Sequence, residues 1–89
     1  MKLNETEMKT LIAVGKAIQD CTGGEFGYGD EVTIDGVTGA AKAGYISQLV
    51  QKNLIERYEY GQLMLTTAGI ACLAQSELAD MVFEPGDHR

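Results

Sequence analysis

Gly44-Tyr45-Ile46-Ser47-Gln48-Leu49-Val50-Gln51-Lys52-Asn53-Leu54-Ile55-Glu56-Arg57 is the stretch whose reading decides the fold. Tyr45, Ile46, Leu49 and Val50 recur at helical spacing and so share one side of a helix. The pattern runs back through Thr38 and predicts a helix over 39–52. Its opposite side collects Ala40, Ala43, Gly44, Ser47, Gln48 and Gln51, with Lys42 and Lys52 at the flanks. That face is small and amide-rich. Asn53 then stands where a helix ends in a left-handed residue, a conformation Asn tolerates better than most.

Working outward, residues 55–60 and 63–65 are rich in aromatic and branched residues and are separated by Gly61-Gln62, which predicts a short antiparallel hairpin. Thr66 or Thr67 can cap a last helix over 67–81, carrying Ile70, Leu73, Ala74, Leu78 and Met81, with Gly69 allowing close approach to the sheet. Toward the N-terminus, Asn4 and Glu7 have the spacing of a capping box. Met8, Leu11, Ile12, Gly15 and Ile18, continued by Cys21, lay an apolar stripe along a helix over 5–20, while Lys9, Lys16 and Gln19 fall outside it. Gly15 within that stripe costs ~1 kcal/mol against Ala. It marks either the close approach of another backbone or a tolerated glycine.

Between these helices, residues 21–39 hold six glycines. A loop with one short strand over 31–34 fits, because Val32 and Ile34 alternate with polar neighbours. Phe26 and Tyr28 are expected to pin this loop to the core. The glycines do not make a phosphate loop: G-x-x-x-x-G-K-[ST] is missing, and no Lys or Arg occurs over 20–37.

The chain of 89 residues is short enough for one domain, and its 45% hydrophobic and 22% charged composition is that of a folding globular protein. No apolar run approaches the ~18–20 residues of a bilayer span, and the N-terminus carries no signal-peptide core, so cytoplasm is the expected location and no membrane partner is expected. Two cysteines are too few for a disulfide scaffold, and a single His without a Cys-x-x-Cys pair gives no metal site. Net charge is −6, unevenly spread. Residues 20–37 carry five acids and no base, whereas 38–58 carry Lys42, Lys52 and Arg57 against Glu56 alone. Only that second stretch is basic enough to meet a polyanion.

The order helix, strand, helix, hairpin, helix, together with the opening stretch and the later run Leu65-Thr66-Thr67-Ala68-Gly69, resembles the winged helix-turn-helix superfamily. In MarR-like and PadR-like regulators the recognition helix reads "xSxLVxxLxxxGLIxR" and the wing returns through "LTxxG". The likeness covers residues 44–73 and extends more loosely to small winged-helix proteins of phage and bacterial genomes. It implies an α+β winged helix of three main helices and a two- to three-stranded antiparallel sheet, over residues 1–83, while the lack of periodicity over 84–89 predicts a flexible tail. It also implies that Ala40, Lys42, Ala43, Ser47, Gln48 and Gln51 face a DNA groove and that Arg57 touches backbone at the wing's root. Three departures stand out. The glycine-rich acidic segment replaces the usual second helix, Asn53 replaces a glycine, and the wing tip Glu59-Tyr60-Gly61-Gln62 lacks a cation.

Two readings of function follow. The first is a DNA-binding or transcription-regulatory protein acting on duplex DNA as a twofold dimer through its terminal helices. Lys42, Lys52 and Arg57 would meet phosphates in that reading, Gln48 and Gln51 adenine edges, and Ser47 a phosphate or a base. The second is an acidic interaction module, of the kind of a phage inhibitor or antirepressor, that keeps the winged-helix shape and binds a basic protein. No cofactor is implied, and catalysis has little support: the sole His lies in the tail, Cys21 and Cys72 sit on or beside apolar stripes as buried thiols would, and Asp30 and Glu31 would point to opposite faces of a strand. Tyr58 and Tyr60 read either as a stacking platform or as cover for a core edge.

Overall fold

Asn4 opens the first helix, α1 (Glu5–Thr22), through the predicted capping box: the Glu7 amide donates to the Asn4 carboxamide oxygen at 2.8 Å, and the Asn4 amide donates to the Glu7 carboxylate at 3.0 Å. This computed structural model describes residues 3–86 of the chain. The apolar stripe of α1 delivers Leu11, Val14, Ala17 and Ile18 to the core. Gly15 lies beneath the side chains of Leu78, Leu73 and Phe83, so side chains, not a second backbone, exclude a Cβ there. The helix ends at Gly23 in the left-handed conformation (φ 81°).

The glycine-rich insert departs from expectation. Residues 31–34 form no strand. The paired strand, β1 (Gly27–Tyr28), comes earlier and is followed by a 3-10 turn, Gly29–Glu31. A Cβ on Gly27 would stand about 3.0 Å from the backbone of Ile18, so the strand can lie against α1 only where the side chain is missing. The alternation of Val32 and Ile34 had another cause: both are buried anchors of an irregular segment. Phe26 is half-buried and meets Tyr28 edge to face at 5.9 Å, but Tyr28 itself is turned outward rather than into the core.

Thr38 starts the second helix, α2 (Gly39–Gln51), its hydroxyl accepting from the Ala41 amide at 3.2 Å. Ile46 and Leu49 are buried, whereas Tyr45 and Val50 are half-buried at the edges of the same side. Asn53 takes the left-handed conformation expected of it (φ 61°), and the Leu54 amide closes the turn on the Leu49 carbonyl at 3.0 Å. The hairpin follows as β2 (Ile55–Arg57) and β3 (Gln62–Leu65). Its first arm is shorter than predicted because the chain turns through Glu59–Gly61. The sheet order is β1-β3-β2, antiparallel throughout, with Leu63 between Gly27 and Arg57, and Leu65 opposite Ile55.

The last helix, α3 (Thr67–Leu73), is about half the predicted length. Thr66 is its cap: the fully buried hydroxyl accepts from the Gly69 amide at 3.0 Å and donates to the Asn53 carbonyl at 2.7 Å, joining α3 to the end of α2. Ser76 ends the regular helix by taking backbone groups for its own side chain. It donates to the Leu73 carbonyl at 2.7 Å and accepts from the Leu78 amide at 3.1 Å. Leu78 still reaches the core from the turns that follow, so the apolar spacing over 67–81 tracked burial beyond the helix proper. The chain is docked further than the expected tail boundary. Phe83 is buried, the Glu84 amide donates to the Gly24 carbonyl at 2.9 Å, and the Gly86 amide donates to the Leu65 carbonyl at 2.6 Å. The remainder of the predicted tail, 87–89, lies outside the described residues.

Three helices around a three-stranded antiparallel sheet make this an α+β fold consistent with a winged-helix layout, with the β2–β3 hairpin as its wing. Its core joins Leu11, Val14 and Ile18 to Ile46, Leu49, Leu54, Ile55, Leu63, Leu65 and Leu73. Cys21 is exposed and Cys72 half-buried, contrary to the expectation of two buried thiols. No helix among the described residues is long and apolar enough to cross a membrane.

Candidate nucleic-acid interface

The outer side of α2 is open. Ala40, Ala43, Gly44, Gln48 and Gln51 are exposed, and Ser47 is half-buried at the edge that meets the sheet. The burial of Ile46 and Leu49 on the inner side fixes this orientation, because a helix cannot turn its amide-rich side inward without losing both. Beside this face runs a groove of about 230 Å³, bordered by Lys42, Ala43 and Ser47 of α2, by Arg57 and Leu63 of the sheet, and by Gly29 and Asp30 of the insert.

Two of the three candidate cations converge on this groove. The Lys42 ammonium donates to the Val32 carbonyl at 3.1 Å, and an Arg57 Nη2 donates to the Ser47 hydroxyl at 2.9 Å. Both acceptors are neutral. Each cation is therefore oriented without being neutralised, and each keeps N–H donors to spare: two on the ammonium and four on the guanidinium. Ser47, assigned by the resemblance to a base or phosphate, positions Arg57. Among the described residues Asp30 is the one carboxylate on the groove's lining, which leaves that lining net positive.

Lys52 is not brought to this groove. Its ammonium pairs with the Glu7 carboxylate, which is buried, and so ties the end of α2 to the start of α1. The hydrogen bond from Lys52, seconded by the one from the Asn4 amide, holds the Glu7 carboxyl below the ordinary carboxylate value, against the opposing effect of burial. A depressed carboxyl contributes stability that is present above the unfolded-state pKa and is lost as pH falls through the folded one. Lys52→Met should therefore lower the unfolding temperature at pH 7. Its deficit against the native chain should shrink as the medium is taken below about pH 4, where the carboxyl is protonated in the unfolded chain. Glu7→Gln, which can keep the capping box, should flatten the acid limb of the stability curve. Thermal melts over this pH range check both, and a deficit independent of pH would assign Lys52 a packing role only.

The start of α2 is the feature that the site assignment had missed. Thr38 and Gly39 are exposed and the first turn carries no acid, so the positive end of the helix dipole faces solvent without a carboxylate of its own. The signal was present in the sequence: no Asp or Glu occurs between Asp35 and Glu56. The wing tip brings no cation to the groove.

Among known proteins, the chain matches no family model, no curated protein and no solved structure. What fold and site define together is a class: a small α+β protein of winged-helix layout, with an open helix face beside a mildly cationic groove.

Proposed function

We propose that this protein binds duplex nucleic acid through α2, as a small regulatory winged-helix protein. The observation that carries the reading is that Lys42 and Arg57 flank one groove beside the exposed helix face with their charges unneutralised. In this arrangement the two cations meet phosphates along the groove beside the helix, and the open N-terminal turn at Thr38 offers amide donors to a third. Gln48 and Gln51 then stand where side chains read base edges, with Ala40, Ala43 and Gly44 small enough to let the helix approach closely.

Two cations per chain fall short of the ~6–10 phosphate contacts common in specific binders, so the proposal includes two copies on one duplex. The terminal helices offer little for that pairing, since the apolar stripe of α1 is spent on the core. Met81 and Val82, which follow α3 and are exposed, are the better place for it. The cytoplasm, where DNA is reached, is part of the same proposal. Fluorescence anisotropy with mixed-sequence duplex tests it. Two chains each neutralising two phosphates, with Lys42 and Arg57, should give a slope of log K against log salt of about −3.6, and a lone chain about −1.8. No binding at about 50 mM salt, where phosphate contacts are least screened, contradicts the reading.

A further inference from the structure

We propose that the outer face of the wing is a second, independent docking site, which takes a cationic side chain, arginine or lysine, presented by a basic protein segment. Its floor is a cross-strand row. Tyr28 lies opposite Gln62 in the sheet, and on the other side the Tyr58 amide donates to the Gln62 carbonyl at 2.8 Å. Side chains so aligned across adjacent strands share a face, while Leu63, the next residue of β3, points the other way into the core. Beyond the row the hairpin turns, and Glu59 and Tyr60 close its end. Tyr28, Tyr58, Glu59, Tyr60 and Gln62 thus border a single depression of about 430 Å³.

Three phenol rings and a carboxylate, with no cation on the lining among the described residues, form the kind of surface that attracts a guanidinium or ammonium group through ring quadrupoles and charge together. The Tyr58 hydroxyl lies 2.7 Å from the Glu56 carboxylate and 3.1 Å from the Gly86 carbonyl, which fixes its ring at the edge of the depression. A phosphodiester would be repelled here. The wing therefore has two unlike sides: the side toward α2 carries Arg57 and faces Lys42, and the outer side is aromatic with the Glu59 carboxylate at its end.

Tyr60 is the residue whose own structure does not account for it. It stands at φ 64° and ψ 25°, a left-handed conformation that costs a bulky side chain stability and that Asn, Asp or Gly would take more easily before Gly61 (φ 76°). Yet it is 92% exposed, so burial gives nothing back. A large ring held in a strained turn and left bare is explained by contact with something outside the chain.

The test is a titration of ¹⁵N-labelled protein with an octapeptide of alternating Arg and Gly at about 150 mM salt, alongside oligothymidylate of matching length. The expected result is saturable shifts of the Tyr28, Tyr58, Glu59, Tyr60 and Gln62 amides with the peptide and weaker ones with the oligonucleotide. Tyr60→Asn should weaken peptide binding roughly 3- to 10-fold while the unfolding temperature holds or rises, and Glu59→Gln should weaken it by a similar factor. The proposal is overturned if both variants bind the peptide as well as the native chain, if peptide shifts map elsewhere or fail to saturate, or if oligothymidylate binds more tightly than the peptide.

Discussion

Gly69→Ala should lower the unfolding temperature by on the order of 10–20 °C. A Cβ at this position would overlap the Leu54 carbonyl group, while the Leu65 side chain would stand at ordinary contact distance. The obstacle is backbone, already engaged by the Thr66 amide at 3.1 Å, and cannot turn aside as a side-chain tip would. The cost should reach the upper part of the ~1–3 kcal/mol of an overpacked core, of which better helix propensity returns only a fraction. Gly44→Ala supplies the contrast. Gly44 sits within α2 with open space around its Cβ position, so the same substitution there should stabilise by ~0.5–1 kcal/mol. Thermal melts of the two variants give opposite signs if α3 packs as described. A loss of less than about 3 °C at Gly69 would mean that the junction between α3 and the end of α2 is looser than the structure has it.

Reversing both groove charges, with Lys42→Glu and Arg57→Glu together, should weaken duplex binding at least ~100-fold at low salt, because two charge-assisted contacts worth ~1.5–3 kcal/mol each are lost. Repulsion adds to that loss. The fold should survive. Arg57 is exposed and gives up one hydrogen bond to Ser47, and Lys42 gives up one to Val32, with no ion pair broken in either case among the described residues. The matched control is Lys9→Glu together with Lys16→Glu: it changes charge by the same amount on α1, outside the groove, where Lys9 pairs with Glu5 at 3.9 Å and Lys16 with Glu77 at 3.1 Å. Its affinity should stay within a few-fold of the native chain. Equal losses for groove and control variants would mean that net charge, and not the groove, governs binding.

How far these features were legible in the sequence differs by element. The capping box of α1, the helix over α2 and the left-handed Asn53 could be read because each depends on residues within one turn of one another. The run Leu65-Thr66-Thr67-Ala68-Gly69 was legible as a pattern, and the structure gives it a physical meaning: a core leucine, a buried cap that also holds Asn53, and a glycine that clears the Leu54 carbonyl. β1 was not legible. Its position depends on Gly27 meeting Ile18, a contact between distant parts of the chain that no local pattern announces.

The site divides along the same line. Lys42, Ser47, Gln48, Gln51 and Arg57 fall on or beside one face because helical spacing and hairpin register put them there. The fate of Lys52 was hidden, since its partner Glu7 lies 45 positions away, the difference of the two residue numbers, and becomes a neighbour only through packing of α1 on α2. The same holds for the outer face of the wing, where Tyr28 joins Tyr58 only once β3 is seated between them.

Amide-shift mapping with a mixed-sequence duplex at about 50 mM salt tests the central claim, that the exposed side of α2 and the groove beside it are the contact surface. The account predicts shifts concentrated at Thr38, Ala40, Lys42, Ala43, Ser47, Gln48, Gln51 and Arg57, fading as salt is raised. Shifts confined to α1 or to the outer face of the wing, or none with duplex in excess, would contradict it.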